Sequence, residues 1–205
     1  MKVIRPITIT PAKVLSSTAT EVYNNWSSTT TYNIGDRAIY VDNIYESLKA
    51  GNLNKIPKDT PTDWLLVGAT NKMSMFDSQV MTQTTATETL SVSFAPGSTF
   101  NIVAFLNLKG NTISVKVRDK VGGSIVYSTS QELANNSDMV IDWYTYFFAD
   151  FDFSSEAVFL EIPPYPSGVV EVEISSGAGQ VVAIGATSVG NMIDLGDTES
   201  GLDKA

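Results

Sequence analysis

Trp26-Ser-Ser-Thr-Thr-Thr-Tyr32-Asn-Ile-Gly35-Asp36-Arg-Ala-Ile-Tyr40, continued by Ile44-Tyr45-Glu46-Ser47 and closed by Pro61-Thr-Asp-Trp64, is the most patterned stretch of this chain. Two tryptophans bracket three tyrosines, and Gly35-Asp36 makes a turn before the strand-like run Arg37–Val41. Glycine accepts the left-handed backbone a tight turn needs, and aspartate bonds its own backbone there. Residues 21–71 therefore read as a small β-rich unit. Its core candidates are Trp26, Tyr32, Ile39, Tyr45, Leu48, Trp64 and Leu66. About fifty residues without a disulfide or metal make a marginal core. The connection Gly68-Ala-Thr-Asn71 is too short for a tether, so the unit is expected to pack firmly on the remainder.

Downstream, residues 72–192 read as an all-β sandwich domain. Leu90, Val92 and Phe94 alternate with Ser91, Ser93 and Ala95 before Pro96-Gly97, a half-buried strand and its stop. Ile102-Val-Ala-Phe-Leu106 is apolar on both faces, as a central strand would be. Ile113, Val115 and Val117 run into Asp119-Lys-Val-Gly-Gly123, and Ile125, Tyr127 and Thr129 run out, which predicts a hairpin. A second hairpin is expected from Val170, Val172 and Ile174, turning at Ser175–Gly179 and returning through Gln180–Ala186. Strands at about ten-residue spacing without a helical period mean a β-sandwich. A jelly roll of the galactose-binding type is the preferred topology. Upstream, residues 1–20 form a strand-prone N-terminal arm with no adjacent partner strand. Residues 193–205 form a polar, acidic tail.

Composition narrows the function more than it specifies it. Of 205 residues, 43% are hydrophobic and only 17% charged, against about 25% charged in ordinary domains. The net charge of −9 argues against nucleic acid or an anionic membrane surface as partner. No apolar run is long enough for membrane insertion, and Met1-Lys-Val-Ile-Arg-Pro6 does not resemble a signal peptide. The chain holds no cysteine and no histidine, which removes disulfides, Cys/His zinc sites and histidine-activated nucleophiles.

The Trp26–Trp64 pattern resembles the small carbohydrate-binding modules of bacterial chitinases (families 5 and 12), and the copies of that module built into bacteriophage tail proteins. The larger domain resembles the same tail-protein family in Met75-Phe76-Asp77, Phe105-Leu-Asn-Leu108, Asp142-Trp-Tyr-Thr-Tyr-Phe-Phe148 and Pro163-Pro-Tyr165. The closing Val189-Gly190 and Asp194-Leu-Gly196-Asp-Thr198 fit it too. The order of segments (arm, module, sandwich, Asp-x-Gly-x-Thr exit) carries most of this likeness. It implies a structural, homo-oligomeric virion protein of the tail, assembled in the bacterial host cytoplasm. Its partners would be other tail proteins and copies of itself, and no cofactor is implied. The alternative is a glycan-binding adsorption protein that recognises the host surface.

Sugar C–H faces need a flat aromatic surface. In chitin-binding relatives the rings follow the second tyrosine strand, whereas here Glu46–Asn54 has no aromatic and the binding face reads as stripped. Tyr40, Tyr45 and Trp64 remain the glycan-binding candidates, while Trp26, Tyr32, Gly35 and Asp36 read as structural. Asp142, Asp150, Asp152 and Glu156 could form an acid pair or a hard-cation site. Phe151 and Phe153 alternate with the aspartates, however, so an amphipathic strand explains the spacing. No catalytic residue and no metal ligand is assigned. Trp143, Tyr144, Tyr146 and Tyr165 are the candidates for contact with a neighbouring subunit.

Overall fold

The computed structural model describes residues 2–133 and 154–194. Fifteen strands are described: β1 (Lys2–Pro6), β2 (Val14–Ser17), β3 (Thr31–Tyr32), β4 (Arg37–Tyr40), β5 (Asn43–Ser47), β6 (Asn52–Leu53), β7 (Trp64–Ala69), β8 (Thr84–Thr87), β9 (Thr89–Phe94), β10 (Ile102–Lys109), β11 (Thr112–Arg118), β12 (Ile125–Glu132), β13 (Glu156–Phe159), β14 (Val169–Ser175) and β15 (Val181–Asp194). Among the described residues two short 3-10 turns, Pro11–Lys13 and Ser74–Phe76, interrupt them. The chain is all-β, as its composition indicates.

Two five-stranded antiparallel sheets make the sandwich. One runs β1-β15-β10-β13, with β8 beside the first half of β15 and β1 beside its second half. The other runs β12-β11-β14-β9-β2. The alternation in the sequence sets their inner faces. Leu90, Val92 and Phe94 on β9, Ile113, Val115 and Val117 on β11, and Val170, Val172 and Ile174 on β14 are all buried against the opposite sheet. β10 lies between β15 and β13 and buries Ile102, Val103, Ala104 and Phe105 on both faces, as its apolar run predicts.

The hairpin β11–β12 forms as expected. The second expected hairpin does not: β14 and β15 belong to different sheets. β14 is paired on both edges, by β11 and β9, so β15 has no edge of it to join. Glu88, the single residue between β8 and β9, adopts φ +66° where that connection also changes sheets. A left-handed residue between two strands redirects the chain, so β8 stays in one sheet and β9 enters the other. Glu88 then pins the 176–180 loop beside it. Its N–H donates to the Gln180 carbonyl, its carbonyl accepts from Ser176 N–H, and its carboxylate accepts from Gly179 N–H. Both sheet crossings therefore share one corner of the sandwich.

Residues 2–17, within the stretch that reads as an arm by sequence, are built into the sandwich. β1 pairs Lys2 to Pro6 with Asp194 to Gly190, and β2 pairs with β9 in the other sheet. Ile9, between them, is 6% exposed and belongs to the core. Gly190 allows the close approach of β1, because a Cβ there would collide with the Arg5 carbonyl oxygen.

The small unit holds a three-stranded sheet, β4-β5-β7, and the short pair β3–β6. Its core is Tyr32, Ala38 and Trp64, with Trp26 and Tyr45 packed against it. Leu48 and Leu66, expected inside, are 42% and 56% exposed. The core is so small because Tyr32 and Trp64 fill it edge to face, their centroids 5.0 Å apart. Asn71 joins the unit to the sandwich. Its side-chain amide donates to the carbonyls of Thr20 and Thr85 and accepts from Thr85 N–H, and its backbone N–H donates to Glu21. The short connection is thus stitched at once to the N-terminal segment and to β8.

Candidate functional site

The turn at Asn33–Asp36 forms as the sequence indicates. Gly35 sits at φ +86°, and the Asp36 carboxylate accepts from Asn33 N–H at 2.6 Å. It launches β4, and the two-residue turn Val41-Asp42 returns the chain as β5, pairing Tyr40 with Asn43 and Ala38 with Tyr45. Cross-strand partners share a face, and residues two apart on one strand share a face. Tyr40 and Tyr45 are therefore diagonal neighbours on one side of the sheet. Tyr45 pairs onward with Leu66 of β7. The edge of this strip is Trp26, perpendicular to Tyr40 with centroids 5.6 Å apart. Trp26, Tyr40 and Tyr45 are half-buried, while Leu66 stands out.

Two of the three glycan candidates are thus brought together and the third is not. Trp64 is 2% exposed, and its indole N–H donates to the Lys55 carbonyl at 2.9 Å. It is a core residue and cannot stack on a sugar. Within the aromatic-free segment Glu46–Asn54 most residues are exposed, and the buried Ser47 and Asn52 hold the loop together. Buried Asn52 donates to the Ser47 hydroxyl and the Asp63 carbonyl, Ser47 donates to the Lys49 carbonyl, and Lys49 pairs with Asp63. No sequence signal marks Trp26 as part of the strip, because its contact to Tyr40 depends on residues 24–26 running parallel to β4. There Trp26 N–H donates to the Ile39 carbonyl, and Ile39 N–H donates to the Asn24 carbonyl.

The opposite face of the sheet is polar where β4 meets β5. The Arg37 Nε donates to Glu46 at 2.8 Å and its Nη1 to the Tyr23 hydroxyl at 3.1 Å. Those hydrogen bonds, Glu46 foremost, hold the Arg37 guanidinium above its ordinary pKa. A further depression of about 220 Å³ crosses the outer face of the β12-β11-β14-β9-β2 sheet. Ser16, Ser91, Ser93, Ser114, Lys116 and Glu173 line it, and it holds no aromatic platform. Tyr165 lies between β13 and β14 at 36% exposure. Trp143, Tyr144 and Tyr146, like Asp142, Asp150 and Asp152, fall outside the described residues. Glu156 opens β13 with its side chain exposed.

The turn beside Tyr40 is strained. Val41 and Asp42 have φ of +47° and +61°, as a type I′ hairpin requires. Asparagine, aspartate and glycine adopt that backbone readily, whereas a β-branched residue there is an outlier. Val41 is 69% exposed, so no burial offsets the strain. Val41→Asn is expected to stabilise the protein by about 1 kcal/mol, raising the melting temperature by about 3 °C. Calorimetry showing a fall instead would mean that Val41 makes a contact that outweighs its backbone cost.

No protein-family model and no curated protein matches the chain. Among solved structures it is similar to chitosan-binding module 1 of a chitosanase/glucanase from Paenibacillus sp. IK-5, at 12% identity and a TM-score of 0.37, over 58% of this chain and 83% of that one. It is similar to the lectin domain of lectinolysin complexed with Lewis b antigen, at 14% identity and a TM-score of 0.39, over 58% and 83%. A Ruminococcus gnavus GH29 fucosidase gives a TM-score of 0.42 at 10% identity, over 60% of this chain, and the match spans only 22% of the enzyme. At such scores the likeness is weak, and it assigns no function.

Proposed function

We propose that this chain is a non-catalytic glycan-recognition protein carried on a bacteriophage tail. The observation that supports recognition is the strip Trp26–Tyr40–Tyr45–Leu66: two part-buried tyrosines diagonal on one sheet face, bordered by the exposed Leu66. Such a strip offers sugar C–H faces a stacking surface, and the phenol hydroxyls reach for ring hydroxyls. The absence of histidine and cysteine from the whole sequence favours binding over catalysis. The tail setting, with other tail proteins and copies of itself as neighbours and assembly in the host cytoplasm, rests on the order of segments that resembles the tail family. Affinity per copy is expected to be weak, since two rings supply little area, and repeated copies on a particle would compensate through avidity.

Titration of the protein with host surface polysaccharide and with chitooligosaccharides, followed by calorimetry, tests this reading. Each of Tyr40→Ala and Tyr45→Ala is expected to weaken binding by about 1 kcal/mol, roughly fivefold, and the pair by about thirtyfold. Because Tyr45 packs against the Tyr32–Ala38–Trp64 core, an unchanged circular dichroism spectrum at the titration temperature is the check that each variant is still folded. Binding that survives the double substitution would move the site elsewhere, and no binding of any saccharide would defeat the glycan reading.

A further inference from the structure

One edge of β15 has a gap. β8 pairs with residues 181–184 and β1 with residues 190–194, so among the described residues 185–189 have no strand beside them there. The chain turns away after β1: Ile7 N–H donates to the Val189 carbonyl, and Ile9 then enters the core. Backbone groups of successive strand residues point to opposite sides. The Gly190 carbonyl accepts from Asn101 N–H and Met192 N–H donates to the Asn101 side chain, so these two residues face β10. Val189 faces the gap, and Thr187, two residues earlier, does the same. Among the described residues no hydrogen bond takes the Thr187 N–H or carbonyl. Its hydroxyl, on the face of its cross-strand partner Phe105, is buried and also without a partner. Unpaired backbone groups in the middle of a sheet are an unmet demand. The gap opens into a pocket of about 270 Å³. Ile7, Ile9, Phe76 and Val80 give it an apolar wall, Thr8 and Ser78 add hydroxyls, and no charged side chain among the described residues lines it. Its rim is fixed. The Asn107 amide donates to the Val80 carbonyl at 2.7 Å, the Gln83 amide donates to the Asn107 carbonyl, and the Asp77 carboxylate accepts from Gln79 N–H and the Thr82 hydroxyl. Gly185 makes room for that rim, since a Cβ there would lie 2.6 Å from the Val80 carbonyl oxygen.

We propose that this slot binds the end residue of a neutral glycan, one pyranose ring held through two adjacent hydroxyls. The ligand class rests on the glycan reading above, while the slot shares no residue with the tyrosine strip. A charged ligand would enter a part-apolar slot without a counter-charge. A wholly apolar one would leave Thr187 unsatisfied. A trans amide points its N–H and C=O in opposite directions, so an acetamido group answers only one of the two backbone groups. Neighbouring ring hydroxyls answer both, because each turns to donate or to accept. The C–H face of the ring then rests on Phe76 and the two isoleucines. Size agrees with one ring. A cavity of roughly 150 Å³ holds benzene, so 270 Å³ takes one hydroxylated ring and no second. An extended peptide residue would also match Thr187, but the ends of β1 and β8 flank the slot and leave a strand nowhere to continue.

The test is nitrogen-15 NMR of the intact protein, titrated separately with glucose, galactose and mannose to high millimolar concentration. At least one sugar is expected to shift the Thr187 amide resonance saturably, with a millimolar dissociation constant, as a single ring with few contacts should. Thr8→Trp, at an exposed wall position, fills the slot and should abolish that shift. Val80→Trp, at another exposed wall position, repeats the test should the first variant fail to fold. No saturable Thr187 shift with any of the three sugars, or a shift that survives both tryptophans, overturns the slot. A shift with a blocked valine tripeptide and with no sugar would overturn it in favour of an extended peptide. Sugar-induced shifts confined to residues 37–47 overturn the slot and leave the tyrosine strip standing. A Thr187 response with none at the strip upholds the slot and refutes the strip, so the two fail separately.

Discussion

Deletion of residues 2–17 is expected to abolish the cooperative fold of the sandwich, with no melting transition above room temperature. The deletion strips β1 from β15 and β2 from β9, one edge from each sheet. It also removes Ile9, whose burial alone contributes about 2 kcal/mol. The broken ladders expose backbone groups of residues 190–194 and 92–94, each hydrogen bond contributing about 1 kcal/mol net. Together these losses match or exceed the 5–15 kcal/mol that holds a domain folded. A segment acting only as a connector between subunits would behave otherwise: the shortened protein would melt unchanged and fail only to enter particles. Circular dichroism of the free protein decides between the two, and an unchanged transition would show that the pairing contributes little to stability.

Residues 1–20 alone do not tell an arm that packs along its own domain from one that reaches a neighbour, and the reason is general to this chain. Strand identity was legible: alternation at Leu90–Phe94, Ile113–Val117 and Val170–Ile174 fixed which side chains enter the core. Strand partnership was not, because a period of two says which face is buried and nothing about which edge is paired. Lys2 pairs with Asp194, at the opposite end of the described chain. The failed hairpin has the same origin. Ser175–Gly179 looks like a tight turn, but both edges of β14 are taken by β9 and β11, strands distant in sequence, and β15 pairs in the other sheet.

The candidate site divides along similar lines. The Gly35-Asp36 turn and the β4–β5 hairpin were readable, and with them the shared face of Tyr40 and Tyr45. Aromatic residues in a small unit must serve either core or surface, and sequence does not apportion them. Here the apportioning follows from size. A core of three buried residues needs its largest side chain at the centre, and Trp64 takes that place against Tyr32. Leu66, two residues on along β7, is then left outside.

Trp64→Ala should therefore unfold the small unit while leaving the sandwich intact. Truncating a buried tryptophan costs about 3–5 kcal/mol, and the lost indole N–H strands the Lys55 carbonyl it now satisfies. Against a core of Tyr32, Ala38 and Trp64, that loss exceeds what the remaining side chains can offset. The sandwich has its own core around Phe94, Phe100 and Phe105, which Trp64 does not join. Hydrogen exchange should show the amides of residues 37–47 and 64–69 losing protection, while those of 90–94, 113–117 and 170–174 keep it. Trp64→Phe separates packing from the hydrogen bond: it retains most of the ring contact with Tyr32 and is expected to cost about 1–2 kcal/mol without unfolding the unit. If Trp64→Ala instead lowers protection equally in both sets of strands, the two parts fold as one cooperative body. The bonds of Asn71 to Thr20, Thr85 and Glu21 would then be strong enough to couple them.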